Sequence, residues 1–265
     1  DVIEQYLTID GHPYRTITLG PDDTENSIQL PPGYYLIRDT DTSQTGRHDA
    51  YTTYITVVIK DYVINPKSVI PTVDKQVYDN YDGANREGWA ETADHNINES
   101  FRFALIGTIP HNSHLVDYTN GYFVKFTDAM SPGVTFESID KVTVNETEVA
   151  ASDYTVTGVE AGDAGKTWTI LMNVRSIIGE KDFGSEGISV IVTYNAHLNE
   201  NAIVHRASDD GETLDNTNRN SVFMEYSNNP NTRYWEDTGR TQEDSVWVFT
   251  YEITNIKKAE SENGK

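Results

Sequence analysis

At 265 residues and a formal net charge of -22, the chain has room for one large or two modest domains, and its charge repels nucleic acid and anionic membrane surfaces. It contains no cysteine, which excludes disulfides and thiol chemistry, and no stretch approaches the roughly 20 apolar residues of a membrane-spanning helix. Asp1-Val2-Ile3-Glu4-Gln5 lacks the charged-then-apolar pattern of a secretory leader, so the sequence reads as a mature or excised segment.

Alternating apolar and polar runs bounded by Gly, Pro, Asn and Asp recur along the chain, as in antiparallel β structure. The alternation predicts strands over 34–38, 54–59, 75–78, 101–109, 122–126, 167–172, 188–194, 221–226 and 246–253. Helical spacing is scarce, with a short turn expected at 173–178 or 94–99, and loops are expected near 83–98, 158–166 and 207–220. Between the second and third strands, Asn65-Pro66-Lys67 and Ile70-Pro71-Thr72 place two prolines in a segment that must be extended and weakly paired, a connector. The expected organisation is therefore a small or partial β domain at 1–66, a main domain at 67–256, and the opening of a following domain or tail at 257–265, where Lys258 shares a face with Ile256.

Three polar residues fall on the apolar side of their own alternation: Lys75 between Val73 and Val77, Asp128 after Val124 and Phe126, and Asn228 after Val222, Met224 and Tyr226. Each alone has an ordinary explanation, Lys75 as an edge lysine and Asp128 and Asn228 as turn residues before Pro132 and Pro230. Together they compose a reaction. A charge isolated in a dry core costs several kcal/mol or more, so such groups are paired, neutralised or consumed. A neutral lysine amine can attack an asparagine amide while a protonated carboxylic acid polarises the carbonyl and moves protons, releasing ammonia and leaving an isopeptide bond.

In chain order, Val73-Asp74-Lys75-Gln76-Val77, Phe126-Thr127-Asp128-Ala129-Met130-Ser131, Val192-Thr193-Tyr194-Asn195-Ala196 and Glu225-Tyr226-Ser227-Asn228-Asn229-Pro230 resemble the fimbrial isopeptide-forming D2 domain of Gram-positive sortase-assembled pilus backbone proteins. The resemblance covers roughly residues 68–255. It implies an all-β fold, an immunoglobulin-like (CnaA-type) β-sandwich preceded by a small or partial β domain. It also implies a cross-link from Lys75 to Asn228 with Asp128 as the isopeptide-forming acid. Asn229 is the neighbouring alternative, which the alternation turns outward.

The implied function is a structural subunit of a surface pilus or fibrous adhesin, extracellular and cell-wall-anchored, serving adhesion and colonisation, with an autocatalytic cross-link and no turnover. The family's pilin motif ends in a tyrosine-proline-lysine triplet. The corresponding place here reads Val63-Ile64-Asn65-Pro66-Lys67, with asparagine for tyrosine, so the resemblance makes Lys67 the sortase polymerisation residue. The implied partners are neighbouring pilin subunits joined through sortase, and a host or matrix ligand; no nucleic acid, membrane, cofactor or metal is expected.

Two alternatives stand beside this: a non-polymerising cell-wall adhesin stalk, and a glycan- or matrix-binding module using Tyr234, Trp235 and Trp247. Carbohydrate cleavage would draw on acid pairs such as Glu236-Asp237 or Glu243-Asp244, and no nucleophile elbow, phosphate loop or HExxH helix is present. Asp39-Thr40-Asp41-Thr42-Ser43 begins like a calcium loop without its glycine and closing glutamate, and His111 with His114 lacks further ligands.

Overall fold

The computed structural model describes residues 29–38, 53–58, 71–80, 88–111, 115–179, 187–204, 217–228 and 238–252. The chain divides into two compact units, Asp1–Val69 and Ile70–Lys265. In the first, β1 (Gly33–Arg38) and β2 (Thr53–Val58) pair antiparallel, with Gly33 opposite Val58 and Arg38 opposite Thr53. Tyr35 Oη donates to the carbonyl of Pro31 at 2.7 Å, tying the diproline approach to the strand it feeds.

The second unit contains β3 (Thr72–Asp79), β4 (Gly88–Ala90), β5 (Thr92–Asp94), β6 (Ser100–Ile109), β7 (Phe123–Met130), β8 (Val134–Val144), β9 (Thr147–Glu148), β10 (Tyr154–Thr157), β11 (Thr167–Asn173), the short helix α1 (Val174–Ile178), β12 (Ile188–Leu198), β13 (Asn218–Ser227), β14 (Thr238–Arg240) and β15 (Asp244–Phe249). These form two sheets of an all-β, immunoglobulin-like sandwich. One runs β4-β3-β6-β12-β8-β9, and the other β10-β11-β7-β13-β15-β5 with β14 also on β13.

Period-two burial decides which face each strand turns inward. β7 buries Val124, Phe126, Asp128 and Met130, and β12 buries every second residue from Ile188 to Leu198. Burying a large apolar side chain is worth about 1.5–3 kcal/mol, so a one-residue slip of either strand would forfeit a whole row of such contributions. The facing sheets approach closely at Gly107 on β6. A Cβ there would sit 2.5 Å from Met224 Sδ and 2.8 Å from Phe126 Cζ, both in the opposite sheet.

All the predicted strands are present with shifted ends, and the turn at 173–178 is α1, closed by Gly179 at φ 90° donating its N–H to the Arg175 carbonyl. At 94–99 the chain leaves β5 and makes a tight turn, with the Glu99 N–H donating to the Asn96 carbonyl and Asn98 at φ 65°. Two expectations are corrected. The segment expected as a loop at 83–98 carries β4 and β5, and 207–220 ends in strand, because β13 begins at Asn218. No helix among the described residues is long and apolar enough to cross a membrane.

Candidate functional site

The alternation Val73, Lys75, Val77 points Lys75 into the sandwich from β3, which pairs with β6 so that Lys75 lies opposite Leu105. The backbone N–H of Lys75 donates to Asp244 Oδ2 at 2.6 Å, so a side chain of β15 in the other sheet holds the strand that carries the amine. Asp128 is an inward residue of β7, flanked in register by Trp168 on β11 and Val222 on β13. Two residues before Val222, and therefore on the same face, is Asn220. Tyr194 comes from β12, where β8 slips register on both sides of it, between Thr193 and Tyr194 and between Asn195 and Ala196. Such bulges increase local twist and re-aim side chains.

These four side chains converge. Lys75 Nζ contacts Asp128 Oδ2 directly, and Tyr194 Oη lies 3.5 Å from Nζ and 3.2 Å from each Asp128 carboxyl oxygen. Asn220 Nδ2 donates to the same hydroxyl. Amine and carboxamide are thus each one hydrogen bond from Tyr194, with the acid beside them. All four residues are 0% exposed.

Aromatic rings enclose the group. Phe103 lies 5.1 Å from Nζ, and the Tyr194 ring is met by Phe103, Phe136 and Trp168 at centroid distances of 5.2, 5.7 and 5.1 Å. Trp168 reaches across from the opposite sheet, so water has little room among these groups.

Burial governs the protonation. It lowers the Lys75 pKa, against the pull of Asp128, and raises that of Asp128, against Lys75 and the Tyr194 hydrogen bond. Both shifts favour the uncharged forms, an amine with a free lone pair and a carboxylic acid with a proton to give. Tyr194 is held well above the ordinary phenol range by burial and then by Asp128, and so keeps its proton.

Asn220 differs from its strand neighbour Asn218. Asn218 is also buried, yet its amide accepts from Ile203 N–H and donates to the carbonyls of Ile203 and Val248. Asn220 Oδ1 is buried with no hydrogen-bond partner, a condition that costs about 1–3 kcal/mol. That unpaired carbonyl belongs to the amide whose Nδ2 meets the Tyr194 hydroxyl, which Lys75 and Asp128 share.

Of the residues expected from the sequence, the structure brings Lys75 and Asp128 together. It does not bring Asn228 to them: that residue lies one position past the end of β13, half-buried, six residues beyond the register partner of Asp128 and so about 20 Å along the strand. Asn229, Lys67 and Lys258 lie outside the described residues, as do Tyr234, Trp235, Glu236, Asp237, His114 and 39–43.

Asn220 and Tyr194 were not expected. The alternation that picked out Asn228 also runs backward from Val222 to Asn220, and Tyr194 stands between Val192 and Ala196 on the same inward period. Glu243 and Asp244 do not form a facing acid pair, because Glu243 is bound to Arg219 at 2.9 Å and Asp244 to the Lys75 amide.

Fold and site define a class: an immunoglobulin-like sandwich with an amine, a carboxyl group, a phenol and a carboxamide gathered in its core. No family model matches the chain, and no curated protein does. Among its solved structural neighbours are major pilins of Gram-positive bacteria. BcpA, the major pilin subunit of Bacillus cereus, is 16% identical over 83% of this chain and 55% of that one, with a TM-score of 0.48. The 35 kDa C-terminal fragment of the major pilin GBS80 of Streptococcus agalactiae is 17% identical over 68% and 56%, with a TM-score of 0.46. The pilus backbone RrgB of Streptococcus pneumoniae is 22% identical over 62% and 55%, with a TM-score of 0.39. The chain thus spans about half the length of these solved chains, and the likeness is one of fold.

Proposed function

We propose that this chain is a structural segment of an extracellular pilus or fibrous adhesin, whose sandwich closes an autocatalytic isopeptide bond between Lys75 and Asn220 with Asp128 as the acid. The observation that carries the reading is the fully buried Lys75–Asp128–Tyr194–Asn220 cluster, in which the carboxamide oxygen alone has no partner. Asn220 takes the place the sequence suggested for Asn228, because it shares a hydroxyl partner with the amine. The bond would join β3 to β13 across the two sheets. Tension entering ahead of β3 and leaving after β15 would then pass from Lys75 to Asn220, sparing the strands between them. That arrangement suits a load-bearing shaft.

The test is intact mass followed by peptide mapping. Trypsin cuts after Lys67, Arg86, Arg219 and Arg233, so the branch would join 68–86 to 220–233, and fragment ions distinguish Asn220 from Asn228 on the second peptide. A folded chain lighter by one ammonia, branched at Asn220, is expected. A folded chain of full mass, or a branch at Asn228, would overturn the assignment.

Lys67 is proposed as the residue that sortase joins to the next subunit, on the strength of Val63-Ile64-Asn65-Pro66-Lys67. A ladder of multimers from whole cells that vanishes in Lys67→Arg is the expected result. A persistent ladder would exclude Lys67, and no ladder with the wild-type chain would favour a non-polymerising cell-wall adhesin.

A further inference from the structure

We infer that Tyr194 is a catalytic residue of the cross-linking reaction, the relay that carries a proton from Asp128 to the departing nitrogen of Asn220. The inference rests on the Lys75–Asn220 bond proposed above. Its grounds are geometric: the Tyr194 hydroxyl is the one group that meets all three others, lying 3.2 Å from both Asp128 oxygens and 3.5 Å from Lys75 Nζ while accepting from Asn220 Nδ2. Asp128 bonds to the nucleophile, and the leaving nitrogen bonds to Tyr194.

The step balances as follows. The lone pair of Lys75 Nζ forms a bond to the Asn220 side-chain carbonyl carbon, and the carbonyl π pair moves to Oδ1. Attack turns Nδ2 from a planar amide nitrogen, which can only donate, into a tetrahedral amine with a lone pair. The hydrogen bond from Nδ2 to Tyr194 then reverses, and the phenol gives its proton to Nδ2. Asp128 restores the phenol with its own proton and takes up the one leaving Nζ. Oδ1 returns its electron pair as the carbon–Nδ2 bond breaks. The net transfer is one proton from the amine to the leaving group, releasing ammonia, with Asp128 and Tyr194 unchanged.

The experiment starts from the full chain isolated unfolded and unreacted, refolded by dilution and quenched at intervals for intact mass, with tryptophan fluorescence reporting folding separately. Wild type is expected to fold first and lose ammonia afterwards. Tyr194→Phe, which keeps the ring, is expected to fold and lose ammonia at least about 10²-fold more slowly, the usual contribution of a positioned proton donor. Trifluorotyrosine installed at 194 keeps shape and hydroxyl but lowers the phenol pKa. It is expected to change the rate–pH profile of ammonia loss while leaving the melting curve unaltered, which a purely structural hydroxyl would not do.

Wild-type rates in folded Tyr194→Phe, or a wild-type rate–pH profile in the fluorinated chain, would overturn the relay while leaving the bond intact. If Tyr194→Phe does not fold, the fluorinated chain decides. A wild-type chain that folds and never loses ammonia would instead remove the bond itself.

Discussion

Replacing Lys75 by methionine removes the cross-link while leaving an apolar side chain of similar length in the space. The bond would close a loop of roughly 145 residues, from position 75 to position 220, for which chain-entropy reasoning gives a stabilisation of about 5 kcal/mol at 25 °C. Methionine leaves no unreacted amine in the core, and Asp128 remains hydrogen-bonded to Tyr194 as a neutral acid. The loss should therefore come mainly from the missing covalent closure. For a unit of about 200 residues, 1 kcal/mol moves the melting temperature by about 2–4 °C, so Lys75→Met should melt about 10–20 °C below wild type. Calorimetry run beside intact mass checks this. If wild type is one ammonia lighter than its sequence and yet melts within about 3 °C of Lys75→Met, closing that loop does not stabilise the fold and the entropic reasoning is refuted.

Asp128→Asn preserves shape but removes the ionisable acid, and should fold at full mass, read by intact mass on the purified chain. Gly107→Ala drives a methyl group into Met224 and Phe126 and should cost about 1–3 kcal/mol in urea unfolding, with the cross-link still formed. The buried pair also predicts a pH signature in Asn220→Ala, which cannot cross-link. Folded Lys75 and Asp128 together hold one proton, and the unfolded pair also holds one between about pH 4 and about pH 10, so the pair contributes no slope there. Below about pH 4 the unfolded chain gains a second proton, and above about pH 10 it has lost its last, so stability falls at both ends. In Lys75→Met the raised Asp128 pKa stands alone, the unfolded chain binds fewer protons above about pH 4, and stability should fall with rising pH by up to about 1.4 kcal/mol per unit. Urea midpoints across pH with equal slopes for the two variants would contradict the assigned protonation.

The strands with clean alternation, such as β7 and β12, were legible because every second residue is buried and, Asp128 apart, apolar. β8 was not, although it is one of the longest, because its slips against β12 expose Ser138, Asp140 and Lys141 and break the period in the middle of Val134–Val144. The short strands β4, β5, β9 and β14 have two or three residues each, too few to carry a period. Lys75 and Asp128 could be picked out because a charge on an apolar face violates the pattern around it. Asn220 hid near the start of β13, at the other end from Asn228, which follows that strand: asparagine is depleted in strands and enriched in loops, so Asn218-Arg219-Asn220 looked like the tail of a loop. Tyr194 escaped notice for the contrary reason, since a tyrosine on a buried face satisfies the pattern and only its hydroxyl's neighbours reveal a task.

The ring of Phe103, Phe136 and Trp168 around the cluster bears on time as well as on rate. A newly made amide sealed behind those aromatic walls is shielded from hydrolysis, and ammonia once lost to the medium does not return. Each molecule would thereby keep an indelible memory of having once collapsed correctly, even after later denaturation. Weighing a population would count its history: light chains have reached the native arrangement at least once, and heavy ones have not held it long enough to react.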